Sequence, residues 1–216
     1  MVNELTHADV HYIIAKGLAQ SGQQYSKEFI FSPVFWRFTY QAHIESVFYY
    51  LCKIYDQHDS AFHLRRLLEI VKQNIALFEA DNFARRLGKN AEEEIKFYKS
   101  IDQHQLQDDY DFVSKKNPLV DKLKRWRDNV FAHRNPKQIL SQKPFETNHP
   151  FPFSEIEFLI NRGSEIINRY SGYFSSTHYS TKLNGSDDFS YVLESLEHHP
   201  RSVERKRWDE YYKKAE

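Results

Sequence analysis

Apolar residues recur at spacings of three and four along most of the chain, and strict alternation is hard to find, so the pattern predicts helices rather than sheet. Val10, Ile13, Ile14 and Leu18 place a first helix over 6–21, stopped at Gly22. Ser32-Pro33 opens a second that runs to about Gln57, because proline is tolerated in a first turn. Its apolar positions, among them Val34, Phe35, Phe38, Val47, Phe48, Leu51 and Ile54, spread too widely for one surface stripe and predict a central helix. Phe62, Leu64, Leu67, Leu68, Val71 and Ile75 predict a third, ending near Phe78. Residues 89–116 are acidic with scattered apolar positions, which predicts a long exposed helix, and Asn117-Pro118 starts another that ends before Asn135-Pro136. Pro136, Pro144, Pro150 and Pro152 mark a long loop. Ser154 and Glu157 then have the spacing of a capping box, predicting a helix to about Phe174 that buries Leu159, Ile160, Ile166, Ile167 and Tyr170. A turn-rich stretch with Asn184-Gly185 precedes two short helices, near 187–198 and 201–215, split by Pro200. The expected fold class is all-α: an antiparallel helical bundle of four to five main helices over 1–175, with a short helical C-terminal extension over 176–216 that is not an independent domain.

Composition removes several alternatives. With 6 Gly in 216 residues there is no Gly-rich phosphate loop, no Gly-x-Ser-x-Gly and no dinucleotide-binding unit. The only cysteine, Cys52, permits no internal disulfide. The start, MVNELTHADV, lacks a positive region followed by an apolar run, and no window approaches a spanning helix, so the expectation is a cytoplasmic protein with no membrane segment. His7 and His11 stand at i, i+4 and His58 and His63 lie near Cys52, but neither pair has a well-spaced third ligand. No metal and no cofactor are expected.

The formal charge is zero, from 30 Lys+Arg and 30 Asp+Glu, which argues against an electrostatic partner spread over the whole surface. It conceals a local imbalance. Residues 115–137 hold eight basic side chains (115, 116, 122, 124, 125, 127, 134, 137) and two acidic ones (121, 128), a net of +6. Residues 89–111 hold seven acidic (92, 93, 94, 102, 108, 109, 111) and three basic (89, 96, 99), a net of −4. Two readings stay open: neighbouring faces that offset each other in solvent, or a basic groove for a phosphate backbone. Trp126 inside the basic helix could stack on a base, or, four residues from Val130, belong to the core or a subunit contact.

The segment DKLKRWRDNVFAHRNP carries the candidate chemistry. Composition alone yields an Arg followed by a His with four to six residues between about 2 times, and requiring Asp, Asn or His directly after the Arg lowers this to about 0.3. Arg37 to His43 has the spacing and fails the second condition; Arg127-Asp128 to His133 passes both. On an ideal helix Leu123, Trp126 and Val130 form one stripe, with Arg127 on one flank and His133 on the other. One straight helix therefore does not bring them to one phosphate, whereas two copies packed antiparallel about a two-fold axis set Arg127 of one against His133 of the other. Such a pair suits metal-free RNA cleavage: the imidazole moves the proton of a 2′-hydroxyl or a leaving 5′-oxygen, and the guanidinium braces the phosphorane charge. Asp128 or Asn129 could orient His133 or the ribose, and Lys124, Arg125, Arg134 and Lys137 are the candidate phosphate contacts. The purely structural reading is an Arg127–Asp128 surface pair, with His133 closing the last carbonyls before Pro136.

RDNVFAH resembles the signature of the HEPN superfamily, in which Arg is followed by Asn, Asp or His, four residues, and His. LCKIYDQHDSAFHLRRLLEIV, residues 51–71, is similar to the branch linked to phage abortive infection, and the likeness covers about 33–135. The resemblance implies a helical bundle that dimerises through the motif helices, here 118–134. In many members it implies a metal-independent endoribonuclease of toxin, antiphage or RNA-processing systems, leaving 2′,3′-cyclic phosphate ends. Arg127 and His133 would be catalytic, with Asp128 as polar neighbour. Implied partners are RNA, a second copy, and an antitoxin or neighbouring defence protein. Members silenced by adenylylation carry Tyr two residues after the His; Asn135 stands there in this chain, so the resemblance does not extend to that control. Other members bind a protein or RNA without catalysis, which is the alternative function.

Overall fold

The structure, a computed structural model, describes residues 1–58, 60–88, 91–132 and 149–198, and within these the side chains of all but 91, 97, 131 and 132. Two long helices form its spine. α1 (Val2–Ser21) and α3 (Pro33–Ile54) run antiparallel, since Glu4 meets Lys53, His7 stacks on Tyr50 and His11 meets His43. The short α2 (Ser26–Phe31) joins them. α4 (Leu64–Gln73) starts at His63, whose Nδ1 accepts from the Arg66 amide at 3.1 Å, and α5 (Ala80–Leu87) and the one-turn α6 (Ala91–Glu94) follow. α7 (Gln103–Phe112) lies antiparallel to α4, joined by Arg65 to Tyr110 and Lys72 to Gln107. α8 (Pro118–Trp126) packs on α3, and α9 (Phe153–Ser175) returns along α1. α10 (Phe189–Glu197) seats Phe189 against Gly17 of α1, so closely that a Cβ there would lie 2.0 Å from the ring. The architecture is all-α, and among the described residues there is no strand. Nor, among them, is any helix long and apolar enough to cross a membrane.

The core follows the periodicity. Leu5, Ala8 and Tyr12 of α1 meet Val47, Phe48, Leu51 and Ile54 of α3, closed by Ile156, Leu159, Ile160, Ile166 and Ile167 of α9. Each fully buried large side chain among these contributes roughly 1.5–3 kcal/mol. Only the second half of α3 is central, however: Val34, Phe35 and Phe38 are exposed, and the wide apolar pattern there is two faces read as one.

Three further expectations are corrected. Residues 89–116 are not one helix: after α6 the chain forms a 3₁₀ turn (Ile95–Phe97), and α7 begins anew where the Asp102 carboxylate accepts from the amides of His104 and Gln105. α4 stops at Gln73, because Asn74 turns its side chain back to the Ile70 carbonyl, and Ile75–Phe78 is 3₁₀. The box at Ser154 and Glu157 is not made, because the Glu157 carboxylate accepts instead from Tyr12 at 2.5 Å and Lys16 at 3.0 Å, tying α9 to α1. The helix expected over 201–215 lies outside the described residues.

Between α1 and α3, Nδ1 of His11 and Nδ1 of His43 stand 2.8 Å apart, so one ring donates and the other accepts, and the acceptor is neutral. Burial pushes both imidazoles below their usual 6.5, and for His11 the neighbouring His43 and His7 add to this. The unfolded chain therefore binds protons more readily than the folded one, so this contribution is present above pH 6.5 and is lost as pH falls through the folded values. The melting temperature is expected to drop on acidification from pH 7 to 5.5 by more than in His43→Gln. Equal drops, followed by circular dichroism, would contradict the account.

Candidate functional site

The motif helix is fixed to the bundle by an aromatic box. Trp126, 8% exposed, stacks on Phe48 with ring centres 4.9 Å and planes 7° apart, and Phe151 stands edge-on to both. The indole Nε1 donates to the His149 carbonyl at 2.7 Å. Trp126 is thus a core residue, and the base-stacking reading of this side chain falls away. Lys122 adds an ion pair to Glu155 and lies over the Phe151 ring. Asn117 caps the start of α8 by accepting from the amides of Leu119 and Val120.

After Trp126 the winding changes: Arg127–Ala132 is π-helical, with bonds from i to i+5. The 100° spacing of an ideal helix therefore does not hold past Trp126. Such turns inside helices are uncommon and frequent at functional sites. Arg127 leaves this turn toward α3. Its Nε donates to Asp128 Oδ1 at 2.8 Å, and its Nη1 lies 3.6 Å from Asp56 Oδ1, just past the end of α3. Burial works against the cation, but the Asp128 hydrogen bond and the Asp128 and Asp56 charges outweigh it, so Arg127 is held above its ordinary value and stays charged. About 34% of its side chain remains open to solvent. Asp56 is itself held, accepting from the backbone amides of Gln57 at 2.7 Å and His58 at 3.3 Å.

Arg127 stands between two concavities. One, of about 340 Å³, has Lys115, Lys124 and His58 on its rim and Tyr55, Val120 and Leu123 behind them. The other, of about 780 Å³, opens along α3 past Tyr49 and Lys53. Cys52, Asp56 and Arg127 line both. Burial pushes the Cys52 thiol up to about 12, although Arg127 pulls the other way, so this sulfur stays protonated at neutral pH and is no nucleophile.

The predicted residues are thus partly assembled. Lys124 and Arg127 share the smaller cleft. Arg125 does not line it and pairs with Asp121 one turn back at 3.1 Å. Asn129 donates its amide to the Arg125 carbonyl at 2.7 Å and so braces the π turn. His133, Arg134 and Lys137 lie outside the described residues. Asp56, His58 and Lys115 escaped the reading as site residues; the Tyr55-Asp56 step was visible, but its relation to Arg127 is a contact between distant segments. Among the described residues no ion pair joins the acids of 92–111 to the bases of 115–127, so the two blocks do not offset each other directly. Also among the described residues, no group of three His, Cys, Asp or Glu side chains could hold a metal ion.

An all-α bundle in which Arg127 and Asp128 follow directly on an inward-packed helix is the layout expected of a HEPN-type domain. The family model HEPN_AbiU2, described as AbiU2, matches residues 1–214, and the chain belongs to that family, a HEPN-type domain associated with abortive infection. No curated protein and no solved structure matches the chain.

Proposed function

We propose that this protein is a metal-independent RNA endonuclease, an effector of abortive infection, that works as a homodimer through the 118–134 segment. The observation that carries the reading is Arg127: a charged guanidinium, about a third open to solvent, held by two carboxylates where two concavities meet. In the reaction the 2′-oxygen attacks phosphorus and gives its proton to the neutral imidazole of His133. The P–O5′ bond breaks and the leaving oxygen takes a proton from the other copy's imidazolium. Products are a 2′,3′-cyclic phosphate and a 5′-hydroxyl, with no redox change. Arg127 supplies a planar fork of donors to the phosphoryl oxygens as their charge grows. Lys124 and Lys115 attract the flanking backbone.

The test is purified protein with RNA in excess EDTA. Cleavage to cyclic phosphate ends, reduced about 10²–10⁴-fold in His133→Ala, is expected. Wild-type protein that binds RNA and never cuts it would make the domain a binding module instead. Cutting that is indifferent to His133 would refute the assigned chemistry.

A further inference from the structure

The two concavities beside Arg127 differ in chemistry. The smaller holds Lys115, Lys124 and Arg127 against one carboxylate, Asp56, a net of three minus one, or +2 with His58 neutral. Among the described residues neither Lys115 nor Lys124 makes an ion pair, and both side chains are exposed. The larger holds Lys53 and Arg127 against Glu45 and Asp56, a net of zero, and three of its ten lining residues, Phe48, Tyr49 and Tyr50, are aromatic.

The most exposed ring in the larger cleft is Tyr49, 60% exposed on the α3 face that points away from the core, whereas Phe48 is buried and Tyr50 half-buried. An exposed aromatic on a helix is ordinary; this one is braced. Tyr50 stands edge-on to it at 5.2 Å, and Tyr50 is in turn stacked on His7 at 5.0 Å, with planes 15° apart. Lys53, one turn along, holds its ammonium 5.5 Å from the Tyr49 ring centre and is tied to Glu4. A ring ordered in this way loses little freedom when a flat ligand settles on it. Every base has a π face, so stacking of this kind takes bases without regard to identity.

We propose that Tyr49 is a base-stacking subsite for single-stranded RNA, placed so that a strand whose phosphate lies at Arg127 lays one neighbouring base on Tyr49 and leads its backbone on the other side past Lys124 and Lys115. This rests on the ribonuclease reading of the Arg127 site. Two observations and one general property of duplexes select a single strand. One half carries an exposed, braced ring at zero net charge and the other an excess of two positive charges, which matches the base and phosphate sides of one nucleotide chain. Arg127 lines both halves together with Cys52 and Asp56, so a ligand occupying both passes the guanidinium. A duplex keeps its bases stacked inside and offers none to Tyr49.

The test compares wild type, Tyr49→Ala, Tyr49→Phe and the Lys115→Ala/Lys124→Ala pair on a short fluorescein-labelled single-stranded RNA in EDTA. Tyr49→Ala is expected to raise KM about tenfold or more, with the loss falling on KM more than on kcat. Tyr49→Phe, which keeps the ring, recovers it. The salt dependence separates the two halves: the lysine pair flattens the slope of log affinity against log salt by about 0.7 per lysine, and Tyr49→Ala leaves that slope as it was. The same RNA annealed to its complement binds wild type more weakly and does not distinguish Tyr49 from Ala. Tyr49 is exposed, so its variants are expected to fold, which circular dichroism checks. RNA cut by wild type and Tyr49→Ala with the same KM overturns the stacking subsite and leaves the ribonuclease standing. A wild type that neither binds nor cuts RNA overturns both, and retention of a protein partner in its place would identify these clefts as a protein-docking surface.

Discussion

Arg127→Ala is expected to lower the rate of RNA cleavage by about 10²–10³-fold while leaving the melting temperature close to that of wild type. The two halves of this expectation have separate causes. Arg127 contributes little to the core: its side chain is a third open, and its pairs with Asp128 and Asp56 are of the partly solvated kind, worth about 0–1 kcal/mol each. The guanidinium is costly to lose only when negative charge develops on phosphorus beside it, and a fork of donors already held by Asp128 needs no reorganisation at that moment. Arg127→Lys keeps the charge and loses the planar fork, so it should recover part of the rate and not all of it. Initial rates at saturating RNA in EDTA decide the matter. An Arg127→Ala protein that cuts at the wild-type rate, or one that has unfolded, would each remove the argument.

What could be read from the chain in advance was the part carried by local spacing. Of the stripe Leu123, Trp126 and Val130, the first two are buried, and Val130, beyond the start of the π turn, is half-buried. The π turn was not legible, because bonds from i to i+5 arise from how Arg127–Ala132 leaves the Trp126 anchor, and no residue type encodes them. Asp56 lies 71 positions before Arg127, and only the fold shows that the two touch. Asp109 was missed for a different reason. In the sequence it is one of seven acids in a segment that reads as a solvated face, yet it is 0% exposed. Its partners carried a signal: Arg162 and Arg169 are seven residues apart and Tyr170 follows at once, which puts two cations and a donor on one side of an amphipathic helix.

That buried carboxylate is where the largest loss of stability is expected. Asp109 Oδ1 accepts from Arg162 at 2.6 Å and from Gln105 at 3.1 Å, and Oδ2 accepts from Arg169 at 2.5 Å and Tyr170 at 2.9 Å, so both oxygens are satisfied and α7 is fastened to α9. Asp109→Ala leaves two guanidinium groups, each about 20% exposed, with their shared counter-charge gone. Removing one partner of such a buried set costs about 3–5 kcal/mol, against a total of about 5–15 kcal/mol for a domain. At this chain length that is a fall in melting temperature of roughly 6–20 °C. Asp109→Asn keeps the shape and loses the charge, and should fall between Ala and wild type. The consequence reaches the Arg127 cleft: the end of α7 presents the Val113 carbonyl that holds Gln57 at 2.8 Å, beside Asp56. In Asp109→Ala, cleavage is expected to fail on heating together with loss of helicity, well below the temperature at which wild type stops. A variant melting within 2 °C of wild type would show that the two arginines find other partners, and that α7 is held to α9 by its apolar contacts alone.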